Sequence, residues 1–445
     1  MQITAGTIRL LLPALALIIL QSCSTQQKLT KTANKTVLGD SALDHAHVGI
    51  SIFEPSTGKF LYNYNESRYF VPASNMKILT CYAAMKYLGD SLAGIRYAKT
   101  ADRILLQPTG DPTLLHADYK NQPVVRFLQS ATVPLEIEDQ NWKTDAFGSG
   151  WSWADYNFYY SAERSPLPVY GNIVTWTQER DTSNDVQSPF IYSNPEVNWK
   201  VRFDVDTASK AFYVKREKDQ NVFLITEGRE AKKQQEVPFV TNGIESALEL
   251  LKDTLGLEVR KSDRTSTGLK FETIHSQPLD SVLKPMMHRS DNLFAEQLLL
   301  MVANERFGKM DESLIIDTFL KTELRELPDR PGWADGSGLS RFNLFSPRDF
   351  VLILGQMQKE FGIERLKNIF PTGGKGTLSN YYKADSGYFY AKTGSLNGVI
   401  ALSGFLYTKN NRLLTVSVLI NNYRGSGTTA RRAVEAFLVR LRQEY

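Results

Sequence analysis

The segment Ile78-Leu79-Thr80-Cys81-Tyr82-Ala83-Ala84-Met85 carries no charge, and this limits the possible folds more than any other feature. Its residue types favour a helix, Ser74 reads as its N-cap, and Gly89 follows as a stop after about Leu88. A helix apolar on every side has no face to offer water, so it must be wrapped by a large domain. The chain has 445 residues, room for about three domains at roughly 150 residues each.

Both ends of the chain supply candidates for the wrapping. VGISIFEPSTGKFLYNYN, from Val48, reads as two strands around Pro55-Ser56-Thr57-Gly58. Near the C-terminus, GYFYAKTGS reads as a strand, VIALSGFLYT and RLLTVSVLINNY as a hairpin around Lys409-Asn410-Asn411, and TTARRAVEAFLVRLRQ as an amphipathic helix. This predicts an α+β fold, a mostly antiparallel sheet covered by helices, built from residues 41–95 plus 266–445. Residues 96–265 differ: they hold five of the six Trp and many aromatic, strand-like segments. They are expected to form an inserted, mostly β region of one or two subdomains.

Residues 1–22 read as a signal peptide, with Arg9 ahead of the apolar run Leu10 to Leu20. That run is shorter than the ~20 residues a membrane helix needs. Leu20-Gln21-Ser22-Cys23 resembles a bacterial lipobox, which implies lipidation of Cys23 and anchorage to a membrane on the periplasmic side of the envelope. A plain signal peptide and an uncleaved anchor are the alternatives. Residues 23–40 are polar and without periodicity, and are expected to be a tether outside the fold. Cys81 is the one other cysteine, so an internal disulfide is not expected in the mature chain.

A net charge of +4, from 52 basic and 48 acidic residues, argues against a nucleic-acid partner. The five His show no metal-ligand spacing, and neither a metal nor a cofactor is expected.

Three short motifs carry the chemistry: Ser74-Asn75-Met76-Lys77, Ser290-Asp291-Asn292 and Lys392-Thr393-Gly394. Together S-x-x-K, S-D-N and K-T-G are the signature of penicillin-binding proteins and class A β-lactamases. S-x-x-K also occurs at Ser56–Lys59, in a turn, and at Ser281–Lys284, followed by Pro285. Only Ser74 opens a buried helix, where three residues make nearly one turn and bring Lys77 to the same side. Burial and the helix N-terminus both favour a neutral lysine, the form a general base requires.

With PASNMKILT (72–80), GDPTL (110–114), DGSGLSRFNLFSP (335–347) and GGKGTL (373–378), the chain resembles the class C low-molecular-mass penicillin-binding proteins, the D-alanyl-D-alanine carboxypeptidase/endopeptidase family. The resemblance covers nearly all of the chain from about residue 47. It implies that Ser74 is the acylated nucleophile, Lys77 its base, and the N–H groups of Ser74 and Ser395 the oxyanion hole. Ser290 would relay a proton tuned by Lys392, and Asn292 would bind the substrate backbone. Lys392, Thr393, Gly394 and Ser395 would form the strand that holds the terminal carboxylate. Asp155, Tyr160, Arg341 and Asn397 fall where the family lines a pocket for the third residue of the stem peptide. The implied partners are peptidoglycan stem peptides, with β-lactams as covalent inhibitors. A β-lactamase and a catalytically idle penicilloyl-binding or wall-binding scaffold are the competing readings.

Overall fold

The computed structural model describes residues 26–180, 189–204, 211–262 and 268–445. Its first element is helix α1 (26–35), followed by strands β1 (His47–Glu54) and β2 (Lys59–Tyr64) and helix α2 (Lys77–Tyr87). The insertion supplies β3 (Ser91–Lys99), β4 (Ile104–Pro108), α3 (Pro123–Gln129), β5 (Leu135–Ile137), β6 (Ile173–Glu179), β7 (Phe190–Asn194), β8 (Lys200–Asp204), β9 (Tyr213–Arg216), β10 (Val222–Thr226), β11 (Lys232–Pro238), α4 (Glu245–Leu255), β12 (Val259–Lys261) and β13 (Glu272–Pro278). The chain then returns through α5 (Leu279–Arg289), α6 (Asn292–Phe307), α7 (Glu312–Lys321), α8 (Pro347–Phe361), α9 (Ile363–Ile369), β14 (Phe389–Leu396), β15 (Val399–Tyr407), β16 (Leu413–Asn421) and α10 (Gly427–Glu444).

Strands from both ends of the sequence interleave in one antiparallel sheet, ordered β14-β15-β16-β1-β2. Every residue of β15 except its last is buried, as a strand covered on both faces must be. On one face Ala401, Phe405 and Leu419 join the core formed by α2, α5, α6 and α8. On the other, Ile50, Ile52, Val416 and Val418 pack against Val434, Phe437, Leu438 and Leu441 of α10. The α+β architecture expected of the sequence is the one found, and α2 lies inside it along most of its length: Lys86 is exposed, and Lys77 through Met85 are all buried. Cys81 is among them, and burial pushes its thiol pKa up, so it is inert packing.

The segment expected to be a tether is instead part of the fold from residue 26 onward. Leu29, Ala33 and Val37 are buried in the same apolar cluster as α10, and Thr32 Oγ1 lies 3.1 Å from Glu444 Oε2. The difference has a physical source. Apolar residues recur only at every fourth position, too sparsely to stand out among polar neighbours. They still form a continuous stripe once α10 lies alongside. Cys23 and the signal-peptide residues lie outside the described residues. Among the described residues no helix is long and apolar enough to cross a membrane.

The first and last strands of the insertion, β3 and β13, pair with each other; β3 straddles the expected boundary at 95/96, and β13 lies wholly beyond the one at 265/266. They belong to a second five-stranded sheet, β12-β5-β4-β3-β13, and two three-stranded sheets, β11-β6-β7 and β8-β10-β9, complete the region. One apolar cluster, including Ile95, Leu106, Trp176, Val214 and Phe223, runs through all three.

Candidate active site

Ser74 lies in a tight helical turn, Ala73–Met76, that leads into α2. It does not cap the helix through its side chain, contrary to expectation: Met76 occupies the N-cap position of α2, Pro72 that of the turn before it, and neither has a side-chain capping bond. The hydroxyl is thereby left for chemistry. Ala73 holds a left-handed φ of 47°, strain of the kind a functional turn retains. Two glycines make room for this turn. A Cβ on Gly338 would fall 1.8 Å from the Ala73 carbonyl oxygen, and one on Gly394 would fall 2.7 Å from that of Pro72. Asn75 fastens the turn to β14 and β15: its amide nitrogen donates to the Lys392 carbonyl at 2.9 Å, and its oxygen accepts from Ser403 Oγ at 2.7 Å.

One turn on, Lys77 is fully buried and its Nζ contacts three oxygens: Ser74 Oγ at 3.1 Å, Asn292 Oδ1 at 2.6 Å and the Ser337 carbonyl at 2.7 Å. Burial pushes its pKa down to about 8, against the opposing pull of the Asp335, Glu296 and Asp291 carboxylates. A neutral amine has two N–H bonds and one lone pair. With Asn292 and Ser337 taking the two hydrogens, the lone pair is directed at the Ser74 hydroxyl, the arrangement a base needs.

The second motif forms the junction between two helices. Ser290 ends α5 with φ 62°, and Asp291 caps α6 by accepting from Phe294 N at 3.0 Å. Asn292, the first residue of α6, also donates to the Tyr160 carbonyl at 2.7 Å. In the third motif, buried Lys392 donates to Ser290 Oγ at 2.9 Å and to the Thr393 carbonyl at 2.7 Å. Its pKa is driven well below the ordinary lysine value, first by burial and then by the neighbouring Lys77 charge. The remaining S-x-x-K copies fall elsewhere. Ser56 lies in the turn between β1 and β2. Ser281 does lie on a helix, α5, with Pro285 inside it; the Ser281 carbonyl, which a proline four residues on cannot reach, accepts from the Tyr119 hydroxyl at 3.1 Å.

Ser74, Ser290, Asn292, Thr393 and Ser395 open onto one cleft of about 1580 Å³, with Lys77, Lys392 and Gly394 buried beneath its floor. Asp155, Tyr160, Arg341 and Asn397 line the same cleft. Burial and the Asp155 carboxylate raise the Tyr160 phenol pKa, and Arg341 Nη2 donates to the Asn397 carbonyl at 2.8 Å.

Several participants escaped the sequence reading. Arg431, the fifth residue of α10, lines the cleft and donates to Ser395 Oγ at 2.8 Å. A cation at a helix N-terminus opposes the helix dipole, and that mismatch was the available signal. Glu296, one turn after Asn292 on α6, accepts from Ser337 N at 2.7 Å and so helps fix the residue whose carbonyl holds Lys77. A charge inside the apolar run LFAEQLLLM was its signal. Burial raises the Glu296 pKa to about 7, and buried Arg164 lies 3.4 Å from it. Asp335 ties the 335–343 loop together by accepting from Gly338 N at 2.8 Å, Ser340 N at 2.7 Å and Trp151 Nε1 at 2.9 Å.

Comparison with known proteins gives the family and the fold. The carboxypeptidase DacB of Mycolicibacterium smegmatis is 33% identical over 204 residues, 42% of this chain and 44% of that one, so the match spans less than half of either. The D-alanyl-D-alanine carboxypeptidase of an Actinomadura species is 26% identical over 453 residues, covering 91% of this chain and 83% of its own. The crystal structure of penicillin binding protein 4 from Haemophilus influenzae shares the fold with a TM-score of 0.70 at 22% identity, over 93% of this chain and 98% of that one. The model of the D-Ala-D-Ala carboxypeptidase 3 (S13) family matches residues 30–445, and the chain belongs to that family.

Proposed function

We propose that the chain is an exported serine-type D-Ala-D-Ala carboxypeptidase of the bacterial envelope, acting on peptidoglycan stem peptides through an acyl-enzyme on Ser74. The observation that carries this reading is the buried Lys77 amine, 3.1 Å from Ser74 Oγ.

In the first step Lys77 takes the hydroxyl proton as Ser74 Oγ attacks the carbonyl of the penultimate D-Ala. The backbone N–H groups of Ser74 and Ser395 receive the oxyanion, an electrostatic contribution that is the largest in many acyl transfers. Collapse breaks the peptide bond, and Ser290, bonded to Lys392, passes a proton to the departing D-Ala amine. Water then attacks the ester and frees Ser74. Asn292 holds the substrate backbone. Thr393 and Ser395 bind the terminal carboxylate, Arg431 adds positive charge beside them, and Gly394 keeps the strand close enough to the Ser74 turn to do so. Asp155, beside Tyr160, is placed to meet an amine on the third residue of the stem peptide, with Arg341 and Asn397 on the same wall.

A D,D-endopeptidase activity is a second reading, favoured by the size of the cleft, which leaves room for a longer leaving group. An idle scaffold is disfavoured because burying Lys77 and Lys392 without use costs stability. Membrane attachment through a lipid on Cys23 completes the proposal. The test is release of D-Ala from a soluble N-acetylated peptide ending in D-Ala-D-Ala. Release by the wild-type chain and none by Ser74→Ala is expected; no release by either would overturn the reading.

A further inference from the structure

The cleft exceeds the ~300–1,000 Å³ typical of small-molecule sites, and its far wall belongs to the insertion. Thr175, Asn194 and Glu236 line it from β6, β7 and β11. Thr175 sits directly opposite both Asn194 and Glu236 in that antiparallel sheet, so the three share one face.

The strand period of two continues the same face away from Ser74. Thr177 comes next, opposite Tyr192 and Gln234, and then Glu179, opposite Phe190 and Lys232. The reverse face is core, with Val174, Trp176 and Val237 buried. Thr177 itself is buried and accepts from Gln234 Nε2 at 3.1 Å; beyond it Lys232 Nζ donates to Glu179 Oε1 at 3.2 Å and the Tyr192 hydroxyl to Glu179 Oε2 at 3.4 Å. Two aromatic rings stand on the outward face in succession. Phe190 is 70% exposed and Tyr192 36%, with ring centroids 5.3 Å apart and planes inclined by 33°. Leaving a phenylalanine this exposed forgoes the stabilisation of its burial, and exposed apolar groups rimmed by polar ones mark interaction surfaces.

We propose that this sheet face docks the carbohydrate strand of the polymer whose peptide enters the cleft. The inference rests on the peptidoglycan reading above and adds a second, non-catalytic site to it. A pyranose ring has an apolar C–H face and a rim of hydroxyls. The face fits against an aromatic ring, and the rim bonds to neighbouring amide and carboxylate groups such as Gln234 and Glu179. The Lys232–Glu179 pair cancels its own charge, leaving a surface suited to a ligand of low charge density. An extended peptide would instead add along the edge of β7 through main-chain bonds and leave both rings unused. The surface is continuous with the cleft, and from Asn194 to Phe190 it runs ~13 Å along the strand, so a peptide in the cleft and its carrier strand can be held together.

The experiment compares wild type with the Phe190→Ala/Tyr192→Ala double variant of the full chain. Co-sedimentation with glycan strands stripped of their peptides is measured alongside hydrolysis of the soluble D-Ala-D-Ala peptide. Wild type is expected to sediment with the stripped glycan and the variant to lose at least about fivefold of that binding, with kcat/KM on the soluble peptide within twofold. Failure of wild type to bind stripped glycan, or equal binding by the variant, overturns the docking surface. So does a matching loss on the soluble peptide, which would place the two rings within the cleft's own function. Glycan binding is read without turnover, so inactivity on the peptide would sink the catalytic reading while leaving this one to be judged by sedimentation alone.

Discussion

Lys77 Nζ and Ser74 Oγ face each other at 3.1 Å, with the lysine end of the pair closed to solvent. Burial has moved the Lys77 pKa from 10.5 down to about 8, and only its neutral form can accept the serine proton. Acylation should therefore rise about tenfold per pH unit on the acid side and level off above pH about 8. Lys77→Met keeps the packing and removes the base, and should lower the acylation rate by at least about 10²-fold and abolish the pH limb. The same shift has a stability counterpart. The unfolded chain keeps this proton up to its ordinary value and the folded chain releases it near 8, so this lysine's contribution to stability grows with pH between those values. Rapid-mixing acylation kinetics from pH 6 to 9.5 check the catalytic part; a flat profile would remove Lys77 from the role of base.

Gly338 should be intolerant of any side chain. Its φ is +86°, and a Cβ would meet the Ala73 carbonyl oxygen at 1.8 Å and Ser74 N at 3.0 Å. Gly338→Ala is expected to lower stability by ~2 kcal/mol or more and to slow acylation at least tenfold by displacing the turn that carries Ser74. Gly387→Ala is the control, since φ is +81° there but nothing lies within 4 Å of the added carbon. It should cost ~1 kcal/mol and leave acylation unchanged. Thermal unfolding and acylation rates of the two variants distinguish close approach from backbone strain.

Arg431 bonds Ser395 Oγ at 2.8 Å and, among the described residues, none of the ion pairs includes it. Its free charge should engage the substrate's terminal carboxylate, an interaction of ~1.5–3 kcal/mol. Arg431→Ala is expected to raise KM for a free-acid peptide by about tenfold or more and to leave the C-terminal amide of the same peptide unaffected. An equal loss on both would assign Arg431 to the folding of α10 instead.

Leu29 is 2% exposed in the cluster with α10. Leu29→Ala should destabilise the chain by ~2–4 kcal/mol, and a chain lacking residues 26–37 should melt lower than one that starts at residue 24. Calorimetry on the two truncated forms measures this. Equal melting temperatures would return the segment to the status of a tether.

How much of this was legible in the sequence depended on the range of the interactions. The buried helix α2, the sheet strands at both ends, and the three motifs were readable because each is a local pattern with a fixed chemical role. The packing of α1 was not, since its stripe of Leu29, Ala33 and Val37 acquires meaning only against a helix at the far end of the chain. The same holds for the support beneath the nucleophile. Glu296, Asp335, Arg164 and Trp151 come from segments far apart in sequence and act by fixing the peptide at Ser337 and the glycine at 338. Ser74 stood out in the sequence, but as a capping residue as well as a nucleophile. The structure gives the N-cap position of α2 to Met76 and leaves the hydroxyl to Lys77.

The central claim is that Ser74 is the acylated nucleophile of an active site. Its most direct test is the intact mass of the protein after brief incubation with benzylpenicillin, for wild type and Ser74→Ala. The account predicts one stable penicilloyl adduct on the wild type and none on the variant. An unmodified wild type with penicillin intact would contradict it and favour an idle scaffold. Rapid destruction of penicillin without a lasting adduct would contradict it in favour of a β-lactamase.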